Sequence, residues 1–409
     1  MTRTRYGDSP WVDEVPKRRR PDFPRYRGAE TYSAVIVGGG LAGTLTAYAF
    51  AAAGIKVALF EAGRLGLAGA SRGPGVLRGE ATASYRDVET RYGRRAARAV
   101  FEASRRAVLD LATTARRLSA KGGVDVQHAL RVLASYNGDE KSLLKEIAMR
   151  RDAGLDAVSL KAAAATRESK VDSARFAVKL REWGQANPYA LVCAFSDAAA
   201  ERGAAVFERS VVKRIRVRRR DVEVHVDGGV ATAATVIVCT GEPTDLFRSL
   251  KRHVRLDERY AVATDRLPGS LRKRINVSAR IITDTDTPAH LVRWMEDGRV
   301  VIAGADQPRP PSRLRDKTLV QRTGQLMYEL SRLYPDVSGV NPTYGWAMPL
   351  GTTVDGVMYA GPHRNYPRHL FAWGTQHDPA QAFLASRILL RNYLGEPDRD
   401  DAYFAFTRA

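Results

Sequence analysis

The stretch Ser33–Glu61, SAVIVGGGLAGTLTAYAFAAAGIKVALFE, limits what this chain can fold into more than any other. Ala34–Val37 is a short apolar run ahead of glycines and reads as a buried strand. Gly38, Gly40 and Gly43 then give G-x-G-x-x-G. The first allows a tight turn out of the strand, and the second lets backbone approach a pyrophosphate. The third lets the next helix lie close to the strand. Leu41–Ala53 is rich in Ala and Leu and free of Pro, so it continues as a helix whose N-terminus faces the phosphates. Gly54 stops it, and Lys56–Phe60 is the second strand. Glu61 follows Gly43 by 18 residues, near the roughly 20 expected for a carboxylate that takes the ribose hydroxyls. A glycine triplet alone is weak evidence. Strand, glycines, helix, strand and terminal acid in this order point to an adenine dinucleotide, and the acid disfavours NADP. FAD and NAD remain.

At 409 residues the chain can bury a sizeable core in two domains, or in one with a large insertion. No uncharged apolar run reaches the roughly 20 residues of a membrane helix. Lys17–Arg20 is followed by Pro21, Asp22 and Pro24 rather than an apolar segment, which argues against an export signal. Cys193 and Cys239 lie far apart in apolar runs, outside any metal-ligand spacing. Reduced buried thiols, no metal site and a cytoplasmic protein are expected. The formal charge of +20 comes mainly from dispersed arginine, a pattern that disfavours a nucleic-acid partner.

Residues 1–30 are polar and rich in Pro and Arg, and read as an extended arm on the surface. Arg64–Gly79 has too many glycines for a helix and reads as a loop beside the cofactor. Tyr85–Ala120 shows one long amphipathic helical pattern, with Val100, Leu109, Leu111 and Leu118 on its apolar side. Leu130–Ala134 is a strand and Glu140–Ala153 a helix. Asn187–Arg202 is helical, and Ala204–Glu208, Val211–Val217 and Asp221–Val226 are strands. Arg214, Arg216 and Arg218 alternate with Ile215 and Val217, as on a strand with one solvated face. Thr235–Cys239 is a buried strand. An NAD-type domain runs through six strands before leaving, whereas here more than a hundred residues follow the first two. A dinucleotide domain split in this way points to FAD.

These residues resemble the D-amino-acid oxidase/glycine oxidase superfamily of FAD-dependent oxidoreductases, including the gamma-glutamylputrescine oxidase type. Gly38-Gly39-Gly40-Leu41-Ala42-Gly43 with Glu61, Ala62 and Arg64 looks like the family's ADP-binding signature. Gly69-Ala70-Ser71, within Gly69–Gly75, is similar to its G-A-S-x-x-x-G stretch around pyrophosphate and flavin. Asn187-Pro188-Tyr189, Val211-Val212 and Val238-Cys239-Thr240-Gly241 fall where the family places its second cofactor segment. Thr353–Pro362, containing Gly361, looks like its T-x-D-G-x-P-x-x-G segment. The helix Ala380–Tyr393 is then the closing helix, aimed at the flavin pyrimidine from the loop holding Gly374 and Gln376. The implied fold is α/β, a discontinuous Rossmann-like FAD-binding domain with a central parallel sheet plus an inserted substrate domain with a mixed or antiparallel sheet and helices. The FAD domain would comprise 31–100, 186–248 and 345–409, and the substrate domain 101–185 and 249–344. Two departures stand out. Gly374–Gln381 contains one glycine where the family has several, with Asp378 placed to face outward as a helix cap and Pro379 at N1. Met358 replaces a proline.

The resemblance implies hydride transfer from a C–H next to nitrogen to flavin N5, giving an imine that water hydrolyses, with oxygen or a quinone as electron acceptor. A carboxylate on an amine or amino-acid substrate calls for arginine, whose planar fork matches two oxygens. Arg293, on a substrate-domain strand, and Tyr260, on an earlier one, are candidates, as are His363 and His377 at the flavin end. Ser71 lies in no G-x-S-x-G elbow and reads as a hydroxyl on loop backbone or pyrophosphate. Some relatives attach flavin through a cysteine near the C-terminus, where this chain has none, so FAD is expected to be noncovalent. Two other readings remain: a flavin-binding member with altered or lost amine oxidation, and a tRNA-modifying flavoprotein.

Overall fold

The computed structural model describes residues 3–118, 123–134, 139–278, 280–286, 288–375 and 377–408. Strand Thr31–Val37 lies between Gly229–Gly241 and Val57–Phe60, parallel to both. The parallel run extends to Tyr366–Trp373 on one side and Ala205–Phe207 on the other, with Tyr359–His363 antiparallel at the edge. Ala34 and Ile36 face the helices Leu41–Ala52, Pro188–Glu201 and Pro379–Leu394, while Val35 and Val37 face the meander Val212–Val217, Val222–Val226. Both faces are covered, which is why the central stretches 34–37, Val57–Phe60 and 236–239 are continuously apolar.

The helix Leu41–Ala52 lies so close to its strand that a Cβ on Gly43 would sit 1.8 Å from the Gly38 carbonyl oxygen. Gly38 itself turns at φ +105, with a Cβ position 2.7 Å from the Cys239 carbonyl. Neither position admits a side chain.

The second sheet is mixed. Its order is Arg5–Tyr6, Pro342–Thr353, Val254–Thr264, Val300–Pro308, Leu291–Trp294, Ile281–Asp284, Asp125–Leu133, Phe176–Gln185 and Val76–Leu77. Residues alternate between its faces, apart from register shifts at Glu258/Tyr260 and Gln127/Ala129. Tyr260, Val262, Ile302, Val292 and Leu130 pack toward the helix Arg315–Leu333. Ala261, Ala303, Leu291, Ile281 and Ala129 face the other way, toward Trp11, Trp183 and Trp346.

Two expectations change here. The long amphipathic pattern is two helices, Tyr85–Tyr92 and Arg94–Arg117, because Gly93 at φ +82 breaks the run. Its apolar stripe runs through Val100, Ala107, Val108 and Leu111, which leaves Leu109 exposed. The arm is also no surface appendage. Trp11 and Tyr26 are fully enclosed, and Arg5–Tyr6 joins the second sheet beside Tyr344–Gly345. The charged residues around Trp11 hide it in composition, yet an indole gains far more from burial than a short polar segment loses.

Replacing Gly43 by Ala is expected to force the helix off the strand and cost about 1–3 kcal/mol. Urea denaturation of the full chain measures this, and a midpoint equal to wild type would contradict the close packing.

Candidate functional site

A cleft of about 650 Å³ begins at Gly38–Ala42, passes Glu61, Ala62, Gly69 and Ala70, and ends at Thr375 and His377. Val212, Thr240 and Gly241 form its other wall. The turn near the amino end and the loop before the last helix therefore share one groove. Gly40 is the N-cap of the helix Leu41–Ala52, no side chain caps that helix, and a Cβ on Gly40 would meet nothing within 4 Å. The open helix end presents amide N–H groups to the cleft, as an anionic diphosphate requires. Glu61 stands at the end of its strand, accepting from the Gly39 and Gly63 amides at 2.7 Å each. Those bonds fix the carboxylate and leave lone pairs for ribose hydroxyls. The residues present fit a bound adenine dinucleotide.

Other expected contacts lie outside the groove. Arg64 is exposed and pairs with Asp22 at 3.7 Å. Ser71 Oγ donates to the Leu67 carbonyl at 2.9 Å, so its hydroxyl serves loop backbone. Gly374 lies against Thr353, where a Cβ would come within 2.4 Å, and Gly361 lies near Asn392. Gln376 falls outside the described residues.

A second cavity of about 270 Å³ lies on the face of the mixed sheet carrying Leu291 and Met348. Arg78, Arg131 and Arg259 line it, with Glu80, Asp284, His290 and Asp378. The two cavities meet along one strand: Met348 and Leu350 line the second, Pro349 and Gly351 the cleft. Asp378 and His377 divide in the same way.

The four candidates for chemistry are scattered. Tyr260 is on the helix-covered face, donating to Glu258 Oε2 at 2.8 Å and accepting from Gln307 at 2.9 Å. Its neighbour Arg259 faces the cavity, because consecutive strand residues point oppositely. Arg293 has the parity of Leu291 but lies two residues along, under the glycine loop. Its guanidinium bonds Gln185 Oε1 and the carbonyls of Gly75 and Ala186, and burial lowers its pKa to about 10. His363 sits in an aromatic cluster with His253, Tyr366 and Phe406, away from both cavities. His377 alone of the four lines the cleft. Its Nε2 lies 2.6 Å from the Pro349 carbonyl, an acceptor only, so Nε2 carries the proton and Nδ1 is left as acceptor. It holds φ +58, a conformation costly for a residue with a Cβ.

Asp378 caps the last helix, its Oδ1 accepting from the Ala380 amide at 2.9 Å, with Pro379 at N1. It does not face outward. It is 2 % exposed, and its Oδ2 accepts from the Arg78 amide at 3.0 Å and from Arg78 Nε at 3.3 Å. Burial raises its pKa, and Arg78 works against that rise. Arg259 is clamped by Asp306 through two bonds of 2.7 and 2.6 Å, and no described hydrogen bond uses its Nη1. His290 Nδ1 lies 2.6 Å from Asp284 Oδ2; burial opposes its charge, but that bond raises its pKa overall. Of these lining residues the sequence singled out Asp378 alone, as an outward cap; Arg78, Arg131, Arg259, Asp284 and His290 were not, because charged residues on short strands resemble any solvated face.

The family model for FAD-dependent oxidoreductases matches residues 33–389. The chain belongs to this family. It is 24% identical to a glycine oxidase of Bacillus licheniformis over 348 residues, covering 84% of this chain and 87% of that protein. Its fold is similar to that of glycine oxidase from Geobacillus kaustophilus, with a TM-score of 0.77, 19% identity, and 93% and 99% of the two chains covered. L-Amino acid deaminase from Proteus myxofaciens gives a TM-score of 0.76 at 13% identity, with 95% and 96% covered. The cofactor of this oxidoreductase is FAD. Burial pushes the Cys193 and Cys239 thiols up to about 12, which disfavours the thiolate form of each. Among the described residues no helix is long and apolar enough to cross a membrane.

Burial lowers the His377 pKa, with Arg72 adding to the effect. The unfolded chain therefore binds a proton, below about pH 6.5, that the folded chain refuses. Stability associated with His377 is present above that pH and falls as pH drops toward the folded value, by at most about 1.4 kcal/mol per pH unit. Thermal melts between pH 7.5 and 5 should show a shallower decline for His377→Gln than for wild type. Equal slopes would remove His377 from the acid response.

Proposed function

We propose that this FAD-dependent oxidoreductase oxidises an amine or amino acid bound in the cavity lined by Arg78, Arg131 and Arg259. The observation that carries this reading is the shared wall at residues 348–351, where a guanidinium-lined cavity abuts the flavin end of the cofactor cleft. FAD, held by the glycine turn and Glu61, supplies a hydride acceptor. The chain's own residues bind and orient the substrate. Arg259, fixed by Asp306, presents Nη1 to a substrate carboxylate. Trp183, Leu291, Met348 and Leu350 exclude water around the carbon that loses hydride. Asp284, buried beside His290, supplies negative charge on the far wall for an ammonium group. The glycine oxidase and L-amino acid deaminase likenesses support the same substrate class.

A second reading, altered or lost amine oxidation, is favoured by Asp378. This buried carboxylate occupies the N-terminus of the last helix, where a positive helix end would otherwise stabilise negative charge. Arg78 offsets it.

The decisive experiment is anaerobic mixing of FAD-loaded protein with a panel of amines, amino acids and imino acids. Bleaching of the visible flavin band by a member of the panel is expected. Retained flavin with no bleaching across the panel would favour the second reading. With a substrate in hand, Arg259→Met is expected to raise KM for the carboxylate-bearing form by roughly 10–100-fold, the worth of one charge-assisted hydrogen bond. It should leave kcat within a few fold, since the contact serves ground and transition state alike. An unchanged KM would take Arg259 out of substrate binding.

A further inference from the structure

Five consecutive carbonyls, Ser71–Gly75, are each taken by a side-chain donor from elsewhere in the chain. Ser9 Oγ donates to Ser71 at 2.5 Å, Trp346 Nε1 to Arg72 at 2.9 Å and Trp11 Nε1 to Gly73 at 2.8 Å. Arg293 Nη1 reaches Pro74 at 3.3 Å and Gly75 at 2.7 Å. Two of the donors, Ser9 and Trp11, come from the amino-terminal arm. The loop so held divides the two cavities: Gly69 and Ala70 line the cofactor cleft, Pro74 the cavity beyond. A Cβ on Gly73 would stand 3.0 Å from that of His377, so the loop packs directly on the residue that ends the cleft.

A glycine-rich loop has much backbone freedom to lose, and its carbonyls here have few ladder partners. Donors that seize the carbonyls one after another leave it a single conformation. Arg293 shows how far this goes. Its cation is enclosed, its described hydrogen bonds go to carbonyl and amide oxygens rather than carboxylates, and it stacks 4.7 Å over the Trp11 ring. Gly75 at φ +72 is what lets it in, because a Cβ there would lie 2.0 Å from Nη1. Burying a cation with no carboxylate in hydrogen-bond contact is costly even with Glu14 acting through space, and a carbonyl row between two binding cavities is what it holds.

We infer that Trp11 and Arg293 are positioning residues for the cofactor, acting through the Ser71–Gly75 backbone that runs on directly from Gly69 and Ala70 in the wall of the FAD cleft. They touch neither cavity. The arm is thereby part of the cofactor site although it precedes the glycine turn.

The test uses the full chain stripped of FAD and then titrated with FAD, following quenching of flavin fluorescence, with the visible circular dichroism of the bound flavin and the melting temperature of the apo-protein recorded in parallel. Trp11→Phe keeps an aromatic ring but loses the pyrrole half of the indole with its donor, so the apo melting temperature is read beside the affinity. The substitution is expected to weaken FAD binding about fivefold, the worth of one net hydrogen bond, and to change the visible circular dichroism. Arg293→Gln should weaken it further. A merely structural arm would lower the apo melting temperature while FAD affinity stayed within twofold of wild type and the flavin signal stayed unchanged, and that result overturns the inference. Should Trp11→Phe fail to fold, Ser9→Ala removes the adjacent donor and is read in the same way. Wild-type chain that takes up no FAD would instead overturn the cofactor assignment, and this inference with it.

Discussion

The helix Leu41–Ala52 can face a diphosphate only because nothing intervenes between Gly43 and the Gly38 carbonyl. That contact, at a distance no side chain tolerates, places the uncapped helix end over the C-terminal ends of the parallel strands. Ligands of open α/β sheets bind at this edge, and the other walls of the cleft follow from it. Glu61 is carried there by the next parallel strand and locked by two amides, Gly39 of the glycine turn and Gly63 of its own loop. Thr240 and Gly241 arrive at the end of the strand on the other side. A shift of the helix by one ångström would disturb all of them together.

The mixed sheet completes the site through a single strand, Pro342–Thr353, that runs along both cavities. Its alternation gives Pro349 and Gly351 to the cofactor side and Met348 and Leu350 to the other. The long antiparallel pairing of this strand with Val254–Thr264 sets which residue of each pair faces the cavity. The same alternation decides that Arg259 rather than Tyr260 reaches inward. It also lets Arg293 share a face with Leu291 while serving the glycine loop.

Charge is handled by local pairing rather than by one basic surface. Glu80 holds both Arg131 and Arg150, and Asp306 holds Arg259. Asp378, which reads as an outward cap, is turned inward because the Arg78 backbone and side chain both take its second oxygen. The net charge of +20 does not predict such an arrangement, since composition records how many charges exist and not which are buried together.

The amino-acid sequence by itself determined the parts of this protein that depend on backbone chemistry within a few residues. The glycine turn, the helix it starts, the terminal acid and the family they mark are local, as are Asp378 as a cap and Pro379 at N1. The tertiary structure alone decided what depends on partners far along the chain. It drew Trp11 from the arm into the core, and set the strand register that brings Arg259 rather than Tyr260 to the cavity, whereas the break at Gly93 is local and was there to be read. Side-chain direction in a strand has period two, so a register error of one residue inverts every assignment, and nothing in a short strand's own sequence fixes that register. Arg293 shows the same limit: its strand was legible, but the five carbonyls it helps to hold come together only when residues 9, 11, 71–75, 293 and 346 meet in space.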